Sequence, residues 1–232
     1  TVPRLIHKYF TIDDNLISTL KETYLWFTDP LEFNDPYDCN LMINTDATPE
    51  EIEAYIRNWN LPEEETVKRV KYYQENIEEF SGELHNEVAG IIKKIGVTCL
   101  TTKRDNLLMW SHYANKHKGV CLTFDMSKDK AMFSSTTVRK VDYTLSYPDF
   151  RYVKYFNENF SQPKGSDFIQ FYAATKSIDW EYEDEIRLAR FSIYHKPFRG
   201  KVEFNKEALI GITFGYKAVE KDKQSVMDVV GS

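Results

Sequence analysis

Trp180-Glu181-Tyr182-Glu183-Asp184-Glu185-Ile186-Arg187-Leu188 is the stretch on which the fold of this chain turns. Read as a strand, it puts Glu181, Glu183, Glu185 and Arg187 on one face and Tyr182, Asp184, Ile186 and Leu188 on the other, because successive side chains alternate. Carboxylates gathered on one face repel, and their burial costs free energy unless cations or a polar cleft accompany them. Arg187 on the same strand and Lys176 just before it are the available cations. Two readings stay open: a salt-bridged scaffold, or a site where a carboxylate does chemistry. The alternation from Glu185 to Ile193 predicts a strand.

A matching pattern stands at the other end of the sequence. Arg4 to Phe10 reads as a first strand with His7 and Tyr9 on one face. Asp13 or Asp14 caps a following helix whose Leu16, Ile17 and Leu20 fall at helical spacing. Tyr24 to Phe27 is a second strand. Phe33-Asn34-Asp35-Pro36-Tyr37-Asp38 is a turn, since Asn and Asp side chains bond nearby backbone and Pro36 restricts its predecessor. Such a turn, with Asn34 and Asp35 anchored by hydrogen bonds, also frames a pocket.

Thr48-Pro49-Glu50-Glu51 opens a helical insertion spanning 48–94, with a break at Leu61-Pro62. Gly96 to Thr101, Gly119 to Phe124, Val138 to Tyr143, Lys201 to Phe204 and Leu209 to Phe214 read as strands. Asn106 to Ala114 and Phe168 to Lys176 read as helices, and the tail from Lys217 is weakly helical. Tyr147 to Phe160 is ambiguous. On the helix from Asn106, Met109, His112 and Tyr113 share a face and Trp110 lies on another. The expectation is one α+β domain over 1–232, with a mixed or antiparallel central sheet and helices inserted between N-terminal and C-terminal strands. His7 and Glu185 should then lie in one sheet region, within the roughly 20 Å that a single pocket can span.

The 232 residues are 42% hydrophobic, enough for a substantial core. Thirty basic against thirty-six acidic residues give a net charge of −6. That disfavours nucleic-acid binding through a globally basic surface and leaves room for a local basic groove. No apolar run approaches the roughly 20 residues of a membrane-spanning helix, and Thr1 to Phe10 is not a secretory signal. Three cysteines without a C-x-x-C pair argue against a disulfide framework or thiolate zinc site and suit a reducing cytoplasm. No Gly-rich phosphate loop, H-E-x-x-H or G-x-S-x-G is present, and His112 and His117 are five apart, off a common helical face. No metal is expected.

Read together, these clusters resemble a bacterial domain-of-unknown-function family, number 2971. The resemblance rests on His7-Lys8-Tyr9, Leu25-Trp26-Phe27-Thr28, Phe33 to Asp38, Val97-Thr98-Cys99-Leu100-Thr101, Met109-Trp110-Ser111-His112-Tyr113, His117-Lys118-Gly119-Val120-Cys121 and Trp180 to Arg187. The 48–94 stretch carries no motif and corresponds to a variable insertion. The family name implies no activity.

More weakly, a His on a first strand, a helix, and a strand ending in Thr28 are similar to the start of ADP-ribosyltransferase-like domains, although no diagnostic R-S-E or H-Y-E set is present. Those domains end in a Glu on a late strand, the place of Glu185 or Glu183. This resemblance implies an NAD-using ADP-ribosyltransferase-like or NAD-glycohydrolase-like enzyme, a toxin or phage-defence effector, with NAD as substrate. Glu185 foremost, then Glu183, with Arg187 orienting, would be catalytic. His7, Tyr9, Thr28, Asn34, Asp35, Trp110, His112, Tyr113 and Trp180 would hold the ligand. The alternatives are a non-catalytic nucleotide- or base-binding domain, or a metal-dependent nucleic-acid-processing enzyme using Glu183, Glu185, Asp35 and His112.

Overall fold

A computed structural model describes residues 3–35, 38–39, 43–146, 149–159, 171–192 and 198–231. Along the chain, β1 (Leu5–Phe10), α1 (Asp14–Glu22), β2 (Tyr24–Phe27) and β3 (Ile43–Asn44) precede three helices, α2 (Pro49–Arg57), α3 (Glu63–Glu75) and α4 (Ile77–Ile92). There follow β4 (Ile95–Thr101), α5 (Leu107–Tyr113), β5 (Val120–Asp125), α6 (Lys130–Ser134), β6 (Thr137–Lys140), β7 (Asp142–Thr144), β8 (Phe150–Arg151) and α7 (Tyr152–Asn159). The last are β9 (Thr175–Ser177), β10 (Glu185–Phe191), β11 (Gly200–Glu203), β12 (Leu209–Phe214) and α8 (Glu220–Val230).

Short polar side chains set the helix starts. Asp13 accepts from the Leu16 amide at 3.0 Å, and Thr48 and Glu51 close a reciprocal capping box ahead of α2. Asn106 accepts from the Leu108 and Met109 amides and so begins α5.

The main sheet runs β12-β5-β1-β4-β10-β6, with every neighbouring pair antiparallel. The fold is thus α+β on an antiparallel central sheet, and the strands from both ends of the sequence meet in it. Register divides the sheet into two faces. Ile6, Leu100, Leu122, Phe124, Ile186 and Leu188 are buried on one, in a core with Leu16 and Leu20 of α1, Leu25 and Phe27 of β2, Val202 of β11 and Val226 of α8. On the other face, Ile95, Val97 and Ala189 pack with Ile52, Tyr55, Ile56, Phe80, Leu84 and Val88 of α2 and α4. The helical stretch therefore covers that face around Ile95, Val97 and Ala189. Cys99, Thr101, Glu185 and Arg187 continue the same face beyond it.

Three expectations change. The run from Trp180 is not one strand: residues 178–183 form a 3-10 helix, capped by Ser177, whose hydroxyl oxygen accepts from the Asp179 amide. Asp184 then takes left-handed backbone (φ 42°), and β10 starts at Glu185. Glu181 is exposed and leaves the carboxylate row. Val138 to Tyr143 breaks at Val141, whose amide donates to the Glu185 carbonyl, into β6 against β10 and β7 parallel to β9. Lys176 lies on β9, not in a helix. Of the Phe168 to Lys176 prediction, residues 168–170 fall outside the described residues, as do Pro36, Tyr37, Ile193 and His195.

Candidate functional site

β1 and β4 pair at one position only, His7 with Thr101, although each is fully paired on its other side. The strands part beyond this pair. Lys8 fills part of the breach: its amine donates to the Cys99 carbonyl at 2.7 Å and to Thr98 Oγ1 at 3.2 Å, satisfying backbone that the ladder leaves open. Burial pulls the Lys8 pKa below its ordinary value, with Cys99 and Glu185 opposing.

A cavity of about 260 Å³ opens at the divergence. β1 contributes His7, Lys8 and Tyr9, β4 contributes Cys99 to Thr101, and α5 contributes Met109 and Tyr113. Lys176, Glu183 and Glu185 form a charged wall, and Phe33, Asn34 and Asp38 border it from the turn after β2. Thr101 faces Glu185 on one side and His7 on the other. His7 and Glu185 are therefore two strand spacings apart, roughly 10 Å.

The wall is a buried ionic cluster. Arg187 makes a two-pronged contact with Asp38 (2.8 and 2.6 Å) and a second with Glu185 (3.0 Å each), and donates to the Ala173 carbonyl at 2.9 Å. Lys176 Nζ lies 2.7 Å from Glu183 Oε2 and 3.4 Å from both Glu185 Oε2 and Asp38 Oδ2. Tyr113 donates to Glu183 Oε1 at 2.5 Å. The Thr101 hydroxyl donates to the Glu183 carbonyl and that of Thr102 to Asp184, fixing the bend that aims Glu183 inward. The Glu185 amide donates to the Tyr143 hydroxyl at 2.9 Å.

The two glutamates are driven in opposite directions. Burial raises the Glu183 pKa, and the lowering by Lys176 does not cancel it. Burial also pushes Glu185 up, but Arg187 and Lys176 outweigh it and hold the carboxyl at about 2. Burial, then the Glu183 charge and hydrogen bond, raise the Tyr113 phenol. Burial lowers the Lys176 pKa, yet Glu185, Glu183 and Asp38 together carry it above its ordinary value, so it remains an ammonium.

His7 is buried, its Nδ1 3.0 Å from Thr123 Oγ1, and burial and the Arg104 charge lower its pKa, leaving a neutral imidazole at pH 7. Tyr9 donates to the Lys103 and Arg104 carbonyls. Trp110 is buried and perpendicular to Tyr9, ring centroids 5.0 Å apart; it donates to the Arg104 carbonyl and does not line the cavity. Tyr113 reaches the cavity. Asn34 is exposed at the rim, and Asp35 is buried with its carbonyl accepting from the Asp38 amide. Thr28, bonded through its backbone to Val97 and through its hydroxyl to Glu32, does not line the cavity. Nor do His112, exposed beside Tyr182, or Trp180, which lies under the Lys176 ammonium at 4.8 Å.

Asp38, Lys8 and Thr101 join the site without having been among the candidates, and Lys176, expected as a cation beside the carboxylates, sits among them. Asp38 closes the Phe33 to Asp38 motif, and that position was its signal. Lys8 stands in the His7-Lys8-Tyr9 motif, but strict alternation sends it to the face opposite His7, and only the parting of β1 from β4 brings it in.

Residues 109–188 match the model of a family described as protein of unknown function (DUF2971). The match begins at Met109 on α5 and ends at Leu188 on β10, and it takes in Tyr113, Lys176, Glu183, Glu185 and Arg187. The resemblance to that family is shown over these residues. Neither the curated proteins nor the solved structures yielded a match.

Proposed function

We propose that the cavity where β1 and β4 part binds a nucleotide-type ligand and cleaves its N-glycosidic bond, with NAD as substrate and ADP-ribose passed to water or another acceptor. The observation that carries this is the Glu183–Glu185 pair, two carboxyls at one cavity with pKa values displaced in opposite directions. Such displacement divides proton transfer from charge stabilisation.

When the bond from ribose C1′ to nicotinamide breaks, its electron pair neutralises the pyridinium nitrogen and positive charge develops on the sugar. Glu185, ionised and clamped by Arg187, supplies fixed negative charge at that wall. Glu183, in its ionised form, takes the proton from the attacking water or hydroxyl as the new C1′–O bond forms. Its raised pKa makes it a stronger base than an ordinary carboxylate. Tyr113 and Lys176 orient it, and the Phe33 and Tyr113 rings offer apolar surface for a flat base. The free thiols Cys39, Cys99 and Cys121 suit a reducing cytoplasmic setting.

One observation disfavours the metal-dependent nuclease alternative. Asp38, Glu183 and Glu185 converge, but the Lys176 ammonium lies within 3.4 Å of all three and takes the place a bridging cation would need. A thermal-unfolding panel of NAD, ADP-ribose, magnesium and a short oligonucleotide separates the readings. NAD or ADP-ribose should stabilise the protein, whereas stabilisation by magnesium alone would favour the metal-dependent alternative.

A further inference from the structure

The loop after α5 and the turn between β12 and α8 are clamped together at the surface. Asn115, Lys116 and His117 hold left-handed backbone in succession, with φ of 46°, 55° and 68°. Side chains bearing a Cβ disfavour that conformation, and runs of it are uncommon. Hydrogen bonds hold it here: the His117 amide donates to the Trp110 carbonyl at 3.0 Å and the Gly119 amide to the Ala114 carbonyl at 2.8 Å. From the other side, the Gly215 amide donates to the Gly119 carbonyl (2.9 Å) and the Lys217 amide to the His117 carbonyl (3.0 Å). A Cβ on Gly215 would lie 2.2 Å from the His117 carbonyl oxygen, so the close approach needs glycine.

This junction displays Tyr216, 78% exposed, with the His117 ring at 5.3 Å and the Lys217 ammonium 5.2 Å from its centroid. Lys116, Lys118 and Lys217 are exposed around it, and none forms an ion pair with a described residue. Residues 106–124 and 208–219 contain no Asp or Glu, in a chain with 36 of them. Two segments without an acidic residue thus meet at an exposed aromatic ring and three lysines outside any described ion pair, on a chain of net charge −6.

We infer that this junction binds single-stranded nucleic acid, a base stacking on Tyr216 while Lys116, Lys118 and Lys217 neutralise phosphates. Stacking on an exposed aromatic ring requires unpaired bases, and every base offers a face for it. Three lysines on short rigid loops suit a phosphate chain, whereas an acidic peptide would leave the Tyr216 ring without a partner. Lys116 follows Tyr113 by three residues, so its Cα is within about 11 Å of the Cα of the residue that contacts Glu183. A bound strand therefore runs beside the α5 end of the cavity. The inference stands on the junction itself and does not depend on the chemistry proposed for the cavity.

Fluorescence anisotropy of a labelled short oligothymidylate with the full chain tests it. Binding should weaken as salt rises, with a logarithmic slope near −2 if three lysines each release about 0.7 counterion. Tyr216→Ala should weaken binding about fivefold or more while Tyr216→Phe binds like the parent, and Lys116→Ala should lower the slope by about 0.7. Thermal unfolding of these exposed-site variants should match the parent. No binding by the parent at low salt, or binding that Tyr216→Ala leaves unchanged, would overturn the inference. So would tighter binding to polyglutamate or to anionic phosphatidylglycerol vesicles than to the oligonucleotide.

Discussion

Glu183 and Glu185 are two positions apart and touch the same ammonium, yet only Glu185 is gripped by a guanidinium. Their variants should therefore fail differently. Glu185→Gln leaves Arg187 half-paired in the interior, where breaking a buried pair costs about 3–5 kcal/mol. Its melting temperature should fall well below that of the parent, and one equal to the parent's would refute the anchoring role. The pH dependence follows from the same contacts. With a folded pKa of about 2 against an ordinary 4.5, Glu185 contributes stability that is present above 4.5 and lost as pH falls through about 2. Glu183, displaced upward, acts with the opposite sign: its contribution is present below 4.5 and lost as pH rises through its raised pKa. Melting temperature against pH should therefore lose slope between about 4.5 and 2 in Glu185→Gln but not in Glu183→Gln. The sequence exposed both carboxylates and the arginine at their side. It could not reveal which glutamate stays open to the cavity, because Arg187 is steered by Asp38, distant in the chain, through contacts of 2.6 and 2.8 Å.

Elements governed by local chemistry were legible, and those governed by distant partners were not. α1, α2 and α5 start at the side chains that cap them, and Thr48→Ala should cost about 1 kcal/mol, measurable as a lower denaturant midpoint with an unchanged slope. An unaltered midpoint would mean that the capping box is not holding α2. By contrast, Glu181 to Glu185 alternates as a strand would, yet the Ser177 cap and the left-handed Asp184 turn it into a 3-10 helix followed by a bend. The single break at Val141 depends on the Glu185 carbonyl across the sheet, which no local pattern encodes. Close approach governs Gly119 in a similar way: a Cβ there would stand 2.0 Å from the Phe10 carbonyl oxygen. Gly119→Ala should force β1 and the α5 loop apart and cost about 1–3 kcal/mol, read as a lower melting temperature. Parent-like unfolding would show that the contact relaxes freely.

At the scale of the whole molecule, the decisive feature is a sheet that is continuous in strand order but opened between its two middle strands. The helices of 49–92 and the core under α1 and α8 hold the two faces of that sheet, so the breach between β1 and β4 is supported from both sides. No described helix is long and apolar enough to cross a membrane. A cavity so framed should be stabilised by what fills it. NAD or ADP-ribose at one hundred times its dissociation constant would add about 2.7 kcal/mol, a rise of roughly 5–10 °C for a chain of this size. Release of nicotinamide from NAD, followed in parallel for the parent and for Glu183→Gln across pH, bears on the proposed chemistry itself. The parent should release nicotinamide at a rate that climbs with pH as Glu183 ionises. Glu183→Gln should melt at or near the parent's temperature and turn over at least about 100-fold more slowly, with that pH step gone. A parent that releases no nicotinamide and gains no stability from NAD, or a Glu183→Gln variant that keeps full turnover, would contradict the assignment.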